Sequence, residues 1–299
     1  KYLGVRLHQE ENFNIPKNLL ISGKSINLQL LINQMKNIEI KKEKICIIFI
    51  HGFCSGPEDW KTQTEFFKDK YTVISPVLRG HDGENESDMP MSIEQLTNDC
   101  EKYIDEHKQK YFIFVGHSMG TRVAINLCHR HQKKTLGLVL VDGSKFSNLE
   151  RYGKVITDFE NLIEKNDYIL ILKKMFGTMF FDKKFKNEKN RIIQRAINVP
   201  QKYSLPLRRN VIWFDAHCLE GLLNQINTPI LILHSTKLDE KRNRTPIKNN
   251  EKINYIQFVK SLTSNVDVKV FKNTGHYISI EKPKLVNKTI FEWIKKIKS

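Results

Sequence analysis

Strand-like runs separated by helical patterns constrain this chain most. "KICIIFI" (44–50), "YTVISPVL" (71–78), "YFIFVG" (111–116), "LGLVLVD" (136–142), "PILILH" (229–234) and "VDVKVF" (266–271) read as strands. Between them, "PEDWKTQTEFFKD", "SIEQLTNDCEKYIDEH" and "TRVAINLCHRHQ" carry apolar residues at helical spacing, as does the closing "KLVNKTIFEWIKKIK". Repetition of strand, helix and strand predicts an α/β fold with a mostly parallel central sheet and helices on both faces. Near the start, "NLLISGKSINLQLLI" reads as two strands about a Ser-Gly turn, so an antiparallel hairpin at about 18–33 is expected to edge the sheet.

The alternation stops after Asp142. From about 145 to 220 the chain is helical, basic and rich in bulky apolar residues, as in "NLIEKNDYILILKKMFGTMFF" and "NVIWFDAHCLEGL". Strand signals resume at "TPILILH". The expected organisation is therefore a core of residues 1–144 and 221–299, with a helical lid at 145–220 inserted after the sixth strand.

Composition removes several classes of function. At 299 residues the chain can bury most of its apolar surface without disulfides. Apolar runs such as "CIIFI" fall far short of the roughly 20 residues that a membrane-spanning helix needs, so no such helix is expected. The amino-terminal "KYLGVRLHQEENF" has neither the apolar stretch nor the small-residue cleavage site of a secretory signal, and the expected location is cytoplasmic. Five cysteines (Cys46, Cys54, Cys100, Cys128 and Cys218), widely spaced and without a Cys-x-x-Cys pair, point to free thiols rather than to a disulfide framework or a zinc site. The net charge of +16 is spread over the whole chain without an aromatic-interleaved patch. That pattern favours a lysine-rich surface over a nucleic-acid partner.

Chemistry enters at "GHSMG" (116–120), where a strand pattern passes into a helical one. In Gly-x-Ser-x-Gly at such a junction, the serine occupies a strained backbone position that lifts its hydroxyl above the strand ends. The glycines answer a packing demand, because side chains at 116 and 120 would collide where the helix folds back on the strand. The following helix offers backbone N–H groups and a positive dipole end to developing negative charge.

A serine hydroxyl is a poor nucleophile until a base takes its proton. In "FKNTGHYISIEKP", His276 follows the last strand, at the end where the elbow lies, because parallel strands expose their carboxyl ends on one side. His51 precedes a tight glycine turn, His81 falls in a surface loop, and His117 is expected to point away from the serine. The base needs a carboxylate to hold its tautomer. Asp239, shortly after "PILILH", fits the chain order Ser, Asp, His and is favoured; Asp142, ending "LVLVD", competes, with an alternative use in bonding turn N–H groups. The amides of Phe53, in "FIHGFCSGPEDW", and Met119 are the candidate oxyanion donors. Cys54, beside Phe53, is a weak second nucleophile with no neighbouring base in view.

Taken in order, "HGF", "RGHDG", "GHSMG", "TPILILH" and "GHYISIEKP" resemble the α/β-hydrolase superfamily, in which serine esterases share a fold with C–C bond hydrolases and cofactor-free haloperoxidases. The resemblance covers about residues 40–299. It implies Ser118 as nucleophile, His276 as base, the amides of Phe53 and Met119 as oxyanion hole, and no metal or organic cofactor. Two positions depart from the family pattern. Val77 stands where the loop before Arg-Gly usually begins with Asp, so different bonding must fix that loop. In "HSTKLDE", Ser235 replaces the usual glycine and Asp239 comes one residue late, which keeps Asp142 in competition. A serine at 118 rather than an aspartate argues against a dehalogenase or an epoxide hydrolase.

The implied activity is hydrolysis of a small or medium carboxylic ester through an acyl-serine intermediate, the expected partner being a small ester-like molecule. Hydrolysis of a C–C bond, thioester or lactone with the same residues is the first alternative, because the lid and not the triad selects the substrate. A ligand-binding receptor on a hydrolase scaffold is the second. In the lid, "KKMFGTMFFDKKF" mixes bases with Phe and Met; it suits an acyl chain with an anionic end, or simply packs on the core with its lysines in water.

Overall fold

The structure, a computed structural model, describes residues 18–21, 24–27, 45–82, 89–107, 110–239, 243–248 and 251–298. The chain divides into two units, Lys1–Lys42 and Glu43–Ser299. In the first, β1 (Asn18–Ile21) and β2 (Lys24–Asn27) pair antiparallel, with Ile21 opposite Lys24 and Asn18 opposite Asn27. β1 and β2 thus form the expected antiparallel pair. Residues 22, 23 and 28–33 of that expectation lie outside the described residues.

The second unit is built on β3 (Ile45–Ile50), β4 (Thr72–Ile74), β5 (Tyr111–His117), β6 (Thr135–Val141), β7 (Ile230–His234) and β10 (Val266–Val270). They lie in the order β10-β7-β6-β5-β3-β4, and every pair is parallel. Period-two alternation sends successive side chains to opposite faces. Ile47, Phe49, Ile113, Val115, Val139 and Leu231 face one layer, with Phe67 of α1 (Lys61–Phe67) and Val286, Ile290 and Trp293 of α11 (Pro283–Lys298). Ile48, Ile50, Phe112, Phe114, Leu138 and Leu140 face the other, with α2 (Ile93–Glu106) and α3 (Gly120–Arg130). Burial on both faces explains why these strands read as nearly unbroken apolar runs. β4 is shorter than its apolar run, because Pro76 has no N–H to extend the ladder.

Between β6 and β7 the chain makes five helices: α4 (Tyr152–Lys165), α5 (Tyr168–Gly177), α6 (Lys186–Asn198), α7 (Gln201–His217) and α8 (Leu219–Asn224). Leu172, Phe176, Ile192, Val211 and Phe214 from these helices join the second core layer. After β7, β8 (Thr236–Leu238) and β9 (Arg244–Pro246) form an antiparallel pair, followed by α9 (Asn254–Leu262); α10 (Ile278–Glu281) precedes α11. Among the described residues no helix is long and apolar enough to cross a membrane.

Candidate active site

The register of the sheet assembles the site. β5 and β6 are neighbours with His117 opposite Val141, so the next residues, Ser118 and Asp142, leave adjacent strands at the same edge. Both have left-handed backbone, with φ of 54° and 44°, a region that non-glycine residues seldom occupy. Sheet-like bonds still anchor them: Ser118 N donates to Val141 O at 2.9 Å and Asp142 N to Leu233 O at 2.7 Å. A Cβ on Gly116 would lie 2.3 Å from Gly120 O, and one on Gly120 would lie 2.5 Å from the carbonyl oxygens of Ile50 and His51. Helix α3 can turn back over β5 only because both positions lack a side chain.

His276, beyond β10, donates from Nδ1 to Oδ2 of Asp142 at 2.6 Å. The same carboxylate accepts from Ser235 N at 2.8 Å and Thr236 N at 3.0 Å through Oδ1, and from the Thr236 hydroxyl and Arg244 Nη1 (3.2 Å) through Oδ2. Asp142 therefore bonds turn amides and meets the imidazole as well. Asp239, favoured from chain order, is not the carboxylate at His276. It is exposed, and it accepts from Asn243 N at 2.8 Å and Asn243 Nδ2 at 3.3 Å. The cause is lateral: β6 lies between β5 and β7, which brings the tip of β6 beside Ser235 and Thr236, while β8 carries the chain onward to Asp239.

The electrostatics of the pair follow from its burial. Desolvation pushes the Asp142 carboxyl upward, but His234, His276 and Arg244 outweigh it and hold the group well below the usual carboxylate range. An ionised carboxylate only accepts, so the proton of the pair sits on Nδ1 and Nε2 keeps its lone pair. Burial first, then the Arg244 guanidinium and the His117 ring, push His276 well below 6.5 against the pull of Asp142. The imidazole is thus neutral near pH 7, and an imidazolium formed there would be stabilised by the carboxylate.

Ser118, His276, Gly52, Phe53 and His117 line one cavity. A Cβ on Gly52 would lie 3.2 Å from Ser118 Cβ, so the loop carrying Phe53 passes in contact with the serine. Met119, buried, is the N-cap of α3. Two ring nitrogens brace the loop in the absence of the usual aspartate at 77: His51 Nε2 accepts from Leu78 N at 3.1 Å, and His81 Nε2 accepts from Cys54 N at 3.0 Å. Arg79 adds an ion pair to Asp99. Both rings must be neutral to accept, and burial pushes His51 well below 6.5 and His81 to about 4. His81 is therefore a buried brace and not a surface residue. Burial also raises the Cys54 thiol, which keeps it protonated.

His117 does not point away from the site. Its Nε2 donates to the backbone carbonyl of His276 at 3.0 Å, and the two ring centroids are 4.4 Å apart. Behind the elbow, Arg122 is buried against Asp215 of α7, with Nε–Oδ1 and Nη2–Oδ2 distances of 2.7 and 2.6 Å. It also donates to Ser118 O at 3.2 Å and Ser144 O at 2.6 Å, and Asp215 accepts from Phe146 N at 2.7 Å.

Residues 47–289 match the Alpha/beta hydrolase family. The chain belongs to this family. Among solved structures, this α/β-hydrolase is similar to an esterase from Thermogutta terrifontis with malate bound, at TM-score 0.69 and 20% identity over 87% of this chain and 92% of that one. It is also similar to the enol-lactonase from Burkholderia xenovorans, at TM-score 0.62 and 16% identity over 84% and 92% of the two chains. A curated relative, the dihydrolipoyllysine-residue acetyltransferase component of the acetoin cleaving system of Cupriavidus necator, is 28% identical over 36% of this chain and 29% of its own length. The chain thus spans about three-tenths of that relative.

Several residues of this α/β-hydrolase site carry no motif. Arg244 falls in the charged "DEKRNRTP" and Thr236 in "HST", neither of which marks a buried partner for an aspartate on another strand. Arg122 offers a faint signal, a charge in the first turn of the helix directly after the elbow, immediately before the apolar Val123, Ala124 and Ile125.

Proposed function

We propose that this α/β-hydrolase cleaves a small or medium carboxylic ester through an acyl-serine intermediate, with Ser118 as nucleophile, His276 as base and Asp142 as its carboxylate partner. The 2.6 Å contact between His276 Nδ1 and Asp142, in a cavity that Ser118 and His276 share, carries the reading. Nε2 takes the Ser118 proton as Oγ attacks the carbonyl carbon. The N–H groups of Phe53 and Met119 meet the oxyanion. Collapse expels the alcohol, which leaves with the proton from Nε2. A water molecule then gives its proton to Nε2 and attacks the acyl carbon, and release of the carboxylic acid restores the serine. None of these steps calls for a metal or an organic cofactor.

Helices α4–α8 act as the lid: Met175, Phe176 and Met179, from α5 and the turn after it, line the cavity, and His276 N donates to Met179 O at 2.8 Å. The cavity is about 50 Å3, room for a few water-sized groups, which favours a short acyl part.

A fluorophosphonate probe together with a panel of short-chain aryl esters tests the proposal. Labelling at Ser118 with ester turnover is expected, and Ser118→Ala or His276→Ala each costs about 10^6-fold in kcat, the double variant losing no more, because such residues act as a unit. A folded enzyme that neither labels nor consumes any ester defeats the reading. A thioester and a lactone in the same panel rank the bonds that these steps can also break.

A further inference from the structure

We infer that the substrate carries an uncharged oxygen beyond those of its ester group, an ether, ketone or hydroxyl, and that the paired hydroxyls of Ser55 and Tyr277 donate a hydrogen bond to it. The inference rests on the hydrolase reading above and narrows it to a substrate class. Among the described residues, the hydroxyl side chains lining the cavity are Ser55, Ser118, Thr178 and Tyr277. Ser118 is the proposed nucleophile, and Thr178 donates to Met175 O at 2.9 Å. Ser55 Oγ and Tyr277 Oη lie 3.0 Å apart, a bond across 222 positions of chain. Two hydroxyls hold two protons, and their mutual bond uses one. Among the described residues neither side-chain hydroxyl has another hydrogen-bond partner, so whichever one donates, the other still has a proton to give.

The fold sets that proton close to the reacting groups. Ser55 N donates to Gly52 O at 3.2 Å, which closes a turn around Phe53, and Gly52 packs against Ser118. Tyr277 directly follows His276; its ring stacks on Phe180 with centroids 5.2 Å apart and lies 5.0 Å from the His117 ring. The pair thus joins the loop of the Phe53 amide to the loop of the base, and both residues are buried. Such packing fixes the donor before a substrate arrives. Burial, then the neighbouring Asp59, push the Tyr277 phenol upward, so it stays protonated. An apolar chain in the cavity would leave the donor unpaired, at a cost in free energy that a substrate oxygen removes. The side chains of Met175, Phe176 and Met179 are apolar and offer such an oxygen no rival donor. A cavity of about 50 Å3 suits a single oxygen better than a bulkier polar group.

Two isosteric pairs of esters test it. In p-nitrophenyl methoxyacetate against p-nitrophenyl butyrate the added oxygen is on the acyl side; in 2-methoxyethyl butyrate against butyl butyrate it is on the alcohol side. Each kcat/KM is divided by the rate constant for hydroxide-catalysed hydrolysis, which removes differences in intrinsic reactivity. The wild-type enzyme should prefer the oxygen-bearing member of at least one pair by about tenfold. The variant Ser55→Ala/Tyr277→Phe keeps the aromatic ring and should bring that ratio near one, chiefly by slowing the oxygen-bearing member. A smaller preference in both pairs, a preference that survives the double variant, or equal slowing of both members overturns the inference; equal slowing would make the bond only a tie between loops. Binding of N-propyl-2-methoxyacetamide and N-propylbutanamide, titrated by NMR, separates this from the hydrolase reading, since it needs no turnover. About tenfold tighter binding of the ether by the wild-type protein supports the subsite even if no ester is cleaved. Equal binding, or no detectable binding of either amide, rejects it even in an active esterase.

Discussion

The carboxylate of Asp142 lies 2.6 Å from Nδ1 of His276, across 134 positions of chain. Asp142 ends one central strand, and His276 follows another that lies two places away in the sheet. The link between them is therefore made by β7, whose next residues, Ser235 and Thr236, donate to the same carboxylate.

Asp142→Asn should lower kcat by roughly 10^4-fold, because an amide cannot hold the productive tautomer of the imidazole. Asp239→Asn, at an exposed residue that bonds Asn243, should change stability by no more than about 0.5 kcal/mol and leave activity near wild type. Steady-state kinetics on both variants, each confirmed folded by circular dichroism, measures the contrast. Equal losses would remove Asp142 from its proposed role.

The acid limb of kcat/KM should lie below pH 6.5, since burial, Arg244 and His117 disfavour the imidazolium of His276. Arg244→Gln removes a positive charge from beside the pair, makes protonation of the ring easier, and moves the limb upward. A pH profile of the two enzymes shows the direction of the shift. A limb that stays in place would mean that the guanidinium does not act on the imidazole.

Folding stability should decline as pH falls from 6.5 toward about 4. His51, His81, His117 and His276 are buried and pushed below 6.5, with His81 and His117 brought to about 4. In that window the unfolded chain binds more protons than the folded one, so stability is full above 6.5 and is lost on acidification, by up to about 1.4 kcal/mol per pH unit for each ring. Urea midpoints at pH 7.5, 6 and 5 should fall in that order with a constant slope.

Gly116→Ala should destabilise by about 1–3 kcal/mol or more, because its Cβ would meet the Gly120 carbonyl at 2.3 Å and backbone cannot give way as a side chain can. Gly177→Ala, with nothing within 4 Å of the added carbon, serves as the control and should be neutral or slightly stabilising. Urea unfolding of the two variants supplies the comparison.

The central strands and α3 were legible because burial on both faces leaves an apolar run that local composition records, and the elbow was legible because close packing demands glycine at 116 and 120. The choice between Asp142 and Asp239 was not. It depends on which strand lies beside which, and the lateral order β7-β6-β5 has no counterpart in local pattern. The β8–β9 pair escaped for a different reason: three-residue strands flanking a charged loop are too short to show alternation. The bracing of the Phe53 loop by His51 and His81 was likewise hidden, because each ring reaches 27 residues along the chain for its amide.

The buried pair of Arg122 and Asp215 limits how the molecule can admit a reactant. Any swing of α7 away from the elbow would strand a guanidinium and a carboxylate among apolar neighbours, at a cost of several kcal/mol. Helix α7 is thereby fixed to the elbow that it covers, as the strand-following segment of His276 is tied to the turn after α5 through its 2.8 Å bond to Met179 O.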